Sequence, residues 1–298
     1  MSKTLSPWAP RVMSPWILRV LWLAVGAVGA QAVSDATDGT GRGWELTVTI
    51  GALALWGVAL VAMLVPLPST LTVTRIVVPA GAVALVWVLA ADDTSVSGVI
   101  ALACAAGAAV VALTPPVGDR FVDGASYGDE RRMPLRPPAA LMLGPIPLAW
   151  AVAVAGTCAG PLLLADERWV LGIAVTAVGL PAAALAARSL YFLTTRVVVF
   201  VPNGLVLADR SVLTDPVLFH RSRIAMLGPA LADTAAQDLT GGAPGLALEL
   251  AASEPTEMAL RTGRSGSGRT LSVDAILFAP TSPGEVLAEA QRRRIPVG

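Results

Sequence analysis

Six apolar runs fill the first two thirds of the chain, each about as long as a helix needs to cross a bilayer, and none carries a charge near its centre. They extend over Ile17 to Val33, Leu46 to Val65, Leu71 to Ala90, Val96 to Leu113, Ala139 to Leu164 and Val170 to Ala187. A helix satisfies its own backbone hydrogen bonds in lipid, so each run predicts a membrane-spanning helix. Between the second and third runs, Pro66-Leu67-Pro68-Ser69-Thr70 removes two backbone donors and predicts a tight helical hairpin.

After Ala187 the pattern becomes polar, Arg-bearing and strand-like. Arg196 to Val201 is rich in β-branched and aromatic residues, Pro202-Asn203-Gly204 supplies turn chemistry that tolerates positive φ, and Leu205 to Leu207 returns as a strand. Further strands are expected at Val217 to His220, Ile224 to Leu227, Leu246 to Ala251 and Leu271 to Phe278. The end reads as a helix. Ser282 is its N-cap, Pro283 takes the first helical position and Glu285 the third, while Arg292, Arg293 and Arg294 meet the negative end of its dipole. The expected fold is therefore an α-helical bundle of six transmembrane helices over residues 1–187, followed by a small α+β, β-rich domain with a C-terminal helix over residues 188–298.

Composition agrees with this division. Hydrophobic residues make up 55% and charged residues 14%, with a mean hydropathy of +0.69, whereas soluble domains carry roughly 25% charge. The formal net charge is zero, which provides no global basic field for nucleic acid. Cys104 and Cys158 lie inside apolar runs without metal-type spacing, so disulfides, thiolate catalysis and a cofactor or metal site are not expected. Basic residues are nearly all Arg, with Lys3 the only lysine, and Ala, Val and Gly abound, a bias that resembles high-GC bacterial coding.

Charge placement also predicts orientation, because cationic short loops stay on the cytoplasmic side. One side collects Lys3, Arg11, Arg19, Arg75, Arg120, Arg131, Arg132, Arg136 and Arg188; the other has Arg42 and Arg168 beside Asp35, Asp38, Glu45, Asp92, Asp93, Asp166 and Glu167. Both termini are expected in the cytoplasm of a bacterial cell whose inner membrane the chain spans. Ala30-Gln31-Ala32 imitates a signal-peptide cleavage site, but the leading segment is long and an uncleaved first helix is expected. Trp8, Trp16, Trp44 and Trp169 fall near span ends, as interfacial anchors do.

Inside the spans, chemistry is sparse. Arg75, Asp92 and Asp93 lie near span ends, which disfavours a proton-coupled pump. Gly156-Thr157-Cys158-Ala159-Gly160 is a GxxxG pattern, read first as packing within the chain and second as a dimer face. Pro145, Pro147, Pro161 and Pro181 kink the last two helices in a permease reading. The outward acids fit topology better than a divalent-cation site. In the loop from Thr114 to Pro138, Arg131, Arg132 and Arg136 are candidate contacts for anionic headgroups.

Phe200-Val201-Pro202-Asn203-Gly204-Leu205-Val206-Leu207, together with Phe278-Ala279-Pro280 leading into the helix that ends Gln291-Arg292-Arg293-Arg294, resembles the pleckstrin-homology-like architecture. The last third is similar to the cytoplasmic domain of uncharacterised actinobacterial multi-pass membrane proteins. The resemblance carries no catalytic motif and implies no assigned activity. In the same tail, Arg261, Arg264 and Arg269 sit in a Gly/Ser-rich stretch that offers arginines and backbone donors to a phosphate or headgroup, although the lysine and spacing of a P-loop are missing. His220 is the single histidine and has no carboxylate or cysteine beside it. The functional expectation is a non-catalytic binding, scaffold or regulatory module whose partners are the lipid bilayer and another membrane or cytoplasmic protein. The alternatives are a small permease with its pathway between the fifth and sixth helices, and a lipid-modifying enzyme using Asp129, Glu130 and His220.

Overall fold

A computed structural model describes residues 9–91, 95–261 and 268–298. Lys3, Trp8, Asp92, Asp93 and Arg264, all invoked above, lie outside the described residues. The apolar runs become the helices α1 (Ala9–Thr37), α2 (Arg42–Leu64), α3 (Pro68–Ala91) and α4 (Val96–Leu113). The chain continues through α5 (Pro115–Asp123), strand β1 (Arg131–Pro134), the single turn α6 (Ala139–Met142), and the helices α7 (Pro145–Ala165) and α8 (Trp169–Thr194). Six of these helical segments are long and apolar enough to cross a membrane.

The chain divides into two compact units: residues 1–121 with 147–191, and residues 122–146 with 192–298. In the first, α4 packs on α1 and α3, and α2 on α1 and α3. The contact is possible because α4 turns a stripe of small side chains inward, with Ala101, Ala105, Ala108 and Ala112 fully buried. A pair of reciprocal hydrogen bonds joins α1 to α2: Trp22 Nε1 donates to Trp56 O at 3.0 Å and Trp56 Nε1 donates to Trp22 O at 2.9 Å. Gly26 makes room for the Trp56 ring, which any Cβ there would strike. The arginines near span ends also have a structural role. Arg19 donates from Nη2 to Met63 O at 2.8 Å and Arg75 from Nε to Ala112 O at 3.2 Å, so each supplies positive charge to the carbonyl end of a neighbouring helix.

The GxxxG residues pack within the chain. A Cβ on Gly179 of α8 would stand 2.8 Å from Gly156 O of α7, and one on Gly160 would lie 2.9 Å from Thr176 Cα, so the two helices meet backbone to backbone.

The second unit is built from both sides of the α7–α8 hairpin in sequence. Strands β2 (Val197–Val201), β3 (Gly204–Ala208) and β4 (Val217–His220) form an antiparallel meander, and β1 adds to its free edge beside β2. A 3-10 turn over Arg221–Arg223 leads into β5 (Ile224–Pro229), β6 (Gln237–Asp238), β7 (Leu248–Arg261) and β8 (Gly268–Phe278), which form a second sheet in the order β5-β7-β8-β6. Helix α9 (Pro283–Arg292) closes the unit. Both sheets and α9 share one core that includes Phe200, Leu205, Leu227, Leu250, Phe278 and Val286.

Two boundaries differ from the sequence reading. Apolarity stops at Arg188, but nothing there breaks a helix, and α8 continues to Thr194, leaving only two residues before β2. The segment read as a loop within the 1–187 domain instead gives α5 and β1, and its Met133 and Leu135 enter the core of the β-rich unit. At the β2–β3 turn, the residue with the stringent demand is Gly204, at φ 157, where a Cβ would collide with Phe219 O and stand 2.9 Å from Arg221 N. Asn203 adopts no positive φ, and its carbonyl accepts the Arg221 N–H at 2.8 Å.

Candidate functional site: an arginine-lined cleft

The C-terminal end of α9 fixes the site. Arg294 has φ 58, Arg294 N–H donates to Gln291 O at 3.0 Å, and Ile295 N–H donates to Ala290 O at 2.9 Å. These two bonds define a Schellman ending with an arginine at the left-handed position where glycine is usual. Buried Ile295 anchors the reversal. The ending holds Arg292 and Arg293 at the edge of an open cleft of about 500 Å³ in the β-rich unit.

Three other segments complete the walls: Asp129, Glu130 and Arg131 immediately before and within β1, Pro202 of the β2–β3 turn, and Arg221 after β4. Glu289, buried on α9, lies at the base and is shared by two guanidinium groups. Arg293 Nε donates to Glu289 Oε1 at 2.7 Å, and Arg292 Nη2 is paired with Glu289 Oε2. Arg293 Nη2 also donates to Asp129 O, and its guanidinium lies 5.9 Å above the centre of the Phe200 ring. The carboxylate that pairs both arginines therefore also anchors α9 near the segment containing β1.

The charge in this cleft is unevenly satisfied. Glu130 pairs with Arg132 Nη2 at 3.1 Å, and Asp123 Oδ1 accepts the Arg132 N–H at 3.0 Å. Arg131 Nε is buried without a hydrogen-bond partner among the described residues, with Asp123 Oδ2 3.8 Å away. Arg221 is exposed, and among the described residues its guanidinium has no side-chain partner. Glu130 and Glu289 are thus taken up by Arg132, Arg292 and Arg293, and Asp123 stands by Arg131 at ion-pair distance only; Arg131 Nε and Arg132 Nε are buried without a hydrogen-bond partner among the described residues, and the Arg221 guanidinium is exposed.

The arginines proposed from sequence do not form one patch. Arg131 lines the cleft, and Arg132 is half-buried in its pair with Glu130. Arg136 is a structural cross-link, donating from Nη1 to Pro244 O at 2.8 Å and from Nη2 to Thr281 O at 3.2 Å. Arg261 and Arg269 lie together near the end of the β7–β8 hairpin, outside the cleft. Asp129 and Glu130 line the cleft, but His220, exposed at the end of β4, does not. Sequence reasoning missed Arg221, Glu289 and the role of Arg292 and Arg293. The available signal was the i,i+3 and i,i+4 spacing of Glu289 to the two arginines on one helix.

Six apolar helices and a C-terminal β-rich region with a final helix define a multi-pass membrane protein carrying a β-rich domain. No protein-family model, curated protein or solved structure matches the chain.

Proposed function

We propose that this is a non-catalytic membrane protein whose β-rich unit serves as a binding, scaffold or regulatory module. The observation that carries the reading is the way the module is built into the membrane protein. Its edge strand β1 comes from between α4 and α7, and only two residues separate α8 from β2. A unit connected so closely in sequence to the spans, with an open cleft walled by segments from before α7 and after α8, is suited to binding a partner. Its antiparallel four-stranded meander, second sheet and closing helix support a pleckstrin-homology-like assignment in which the first strand is supplied by the inter-span segment.

The alternatives find less support. A permease pathway between α7 and α8 needs space where Gly156 and Gly179 are in backbone contact. A lipid-modifying centre built on Asp129, Glu130 and His220 needs the histidine in the cleft, and His220 lies outside its lining. Affinity capture of the full chain from native membranes, alongside a chain ending at Thr194, tests the module. The expected result is a stable partner retained only by the full chain. Equal capture by both chains, or no partner together with substrate uptake into reconstituted vesicles, overturns it.

The module is proposed to face the cytoplasm of a bacterium of the high-GC, actinobacterial type, with both termini on the cytoplasmic side of the inner membrane. The support is electrostatic: Arg19, Arg75, Arg120, Arg131, Arg132, Arg136 and Arg188 all fall on segments of one side in a six-span chain. A fluorescent reporter fused after Gly298 should light up, and an alkaline phosphatase fused there should remain inactive. The reverse pattern overturns the orientation.

A further inference from the structure

We infer that the cleft of the β-rich unit is a phosphate-binding site in which Arg131 and Arg221 supply the principal contacts. The inference deepens the module reading by giving it a ligand chemistry. Four guanidinium groups line this one cleft, from a strand, a 3-10 turn and the end of a helix, so their donors approach from separate directions. A tetrahedral oxyanion with several acceptor oxygens matches such a set better than a single planar carboxylate, which one arginine fork can satisfy.

The negative charge already present does not fill this need. Glu289 is engaged by Arg292 and Arg293, and Glu130 by Arg132. Arg131 has only a long ion pair, its buried Nε 3.8 Å from Asp123 Oδ2 and without a hydrogen-bond acceptor among the described residues, and the Arg221 guanidinium is open to solvent in the same cleft. Asp129 is the exposed carboxylate on the wall and opposes an incoming anion. Because Arg131 belongs to the segment between α5 and α7 and Arg221 to the tail, a bound phosphate joins two parts of the sequence and stabilises the unit that contains both.

The test is calorimetric titration of the detergent-purified full chain with inorganic phosphate, against chloride at matched ionic strength. Saturable phosphate binding is expected. Arg131→Gln and Arg221→Gln should each weaken it about tenfold, the scale of one lost charge-assisted contact. Arg221→Lys should fall between Arg221→Gln and the parent, Asp129→Asn should bind more tightly, and Arg261→Gln on the distant hairpin should match the parent. Unchanged protease resistance of each variant separates lost binding from lost folding. Repeating the titration in phosphatidylglycerol and phosphatidylcholine nanodiscs identifies the source. Loss of phosphate binding only in phosphatidylglycerol points to a lipid headgroup, and equal binding in both points to a soluble phosphate compound. Absence of saturable binding, or equal affinity in the parent and both glutamine variants, overturns the site, while the capture experiment above continues to test the module independently.

Discussion

Arg196→Met is expected to destabilise the β-rich unit by about 3–5 kcal/mol, the range for leaving a buried ion-pair partner uncompensated. Arg196 and Asp209 are 3% and 2% exposed, and the pair is bound by three short contacts: Nε to Oδ1 at 2.9 Å, Nε to Oδ2 at 2.9 Å and Nη2 to Oδ2 at 2.7 Å. The remaining polar capacity is also used. Arg196 Nη1 donates to Arg136 O at 2.9 Å, and Asp209 Oδ1 accepts both the Ser211 N–H at 2.9 Å and the Ser211 hydroxyl at 2.6 Å. Removing the guanidinium strands a carboxylate with almost no access to water, and a loss of this size is comparable to the whole stability of many domains. The check is the temperature dependence of protease resistance of residues 192–298 in the purified full chain. Asp209→Leu should be similarly damaging, and the double variant Arg196→Met with Asp209→Leu should be more stable than either single one, because it removes both charges together. Single variants within about 1 kcal/mol of the parent would show that the pair is not a keystone of the fold.

This ion pair explains why part of the architecture was legible in the sequence and part was not. Arg196 opens a strand that is obvious from Val197 to Val201, and Asp209 follows one that is obvious from Leu205 to Leu207, yet nothing in their spacing of 13 residues announces that they meet. The six spans were legible because lipid imposes length and apolarity on each helix separately, and α4 matches its apolar run from Val96 to Leu113 residue for residue. Helix α9 was legible because Ser282 and Pro283 are local start signals, and the first backbone bonds, from Glu285 and Val286, do return to Ser282 O. Strand β1 carried no such signal. Its core residue Met133 and Leu135 just after it alternate with Arg132 and Pro134, too short a period-2 pattern to stand out, and proline argues against a central strand. An edge position tolerates that proline, and β1 occupies one. The cleft was hidden for the same reason. Arg131, Arg221 and Arg293 are brought together by sheet pairing and by the carboxylate of Glu289, so each looked like a member of a different local charge run.

The largest consequence of β1 is that residues 192–298 alone should fail to fold, whereas the same segment preceded by residues 122–146 on a flexible linker should fold without the spans. The isolated tail loses the antiparallel ladder from Arg131↔Phe200 to Pro134↔Val197, and with it the bonds from Leu135 N to Arg196 O, Arg136 N to Ala279 O and Thr281 N to Pro134 O. It also loses Met133 and Leu135 from the core, at about 2 kcal/mol each for the apolar area returned to water. Arg196 Nη1 forfeits its carbonyl acceptor, and β2, a Val-Val-Val-Phe-Val strand, becomes an exposed sheet edge prone to pairing between chains. These losses fall on one edge of one core and together reach the few kcal/mol by which small domains remain folded. Circular dichroism and sedimentation should find the tail alone disordered or aggregated, and the fused form monomeric with cooperative melting. A tail of 192–298 that melts cooperatively as a monomer would mean that the inter-span strand decorates a domain already complete, and the integrated construction on which the proposed module rests would be lost.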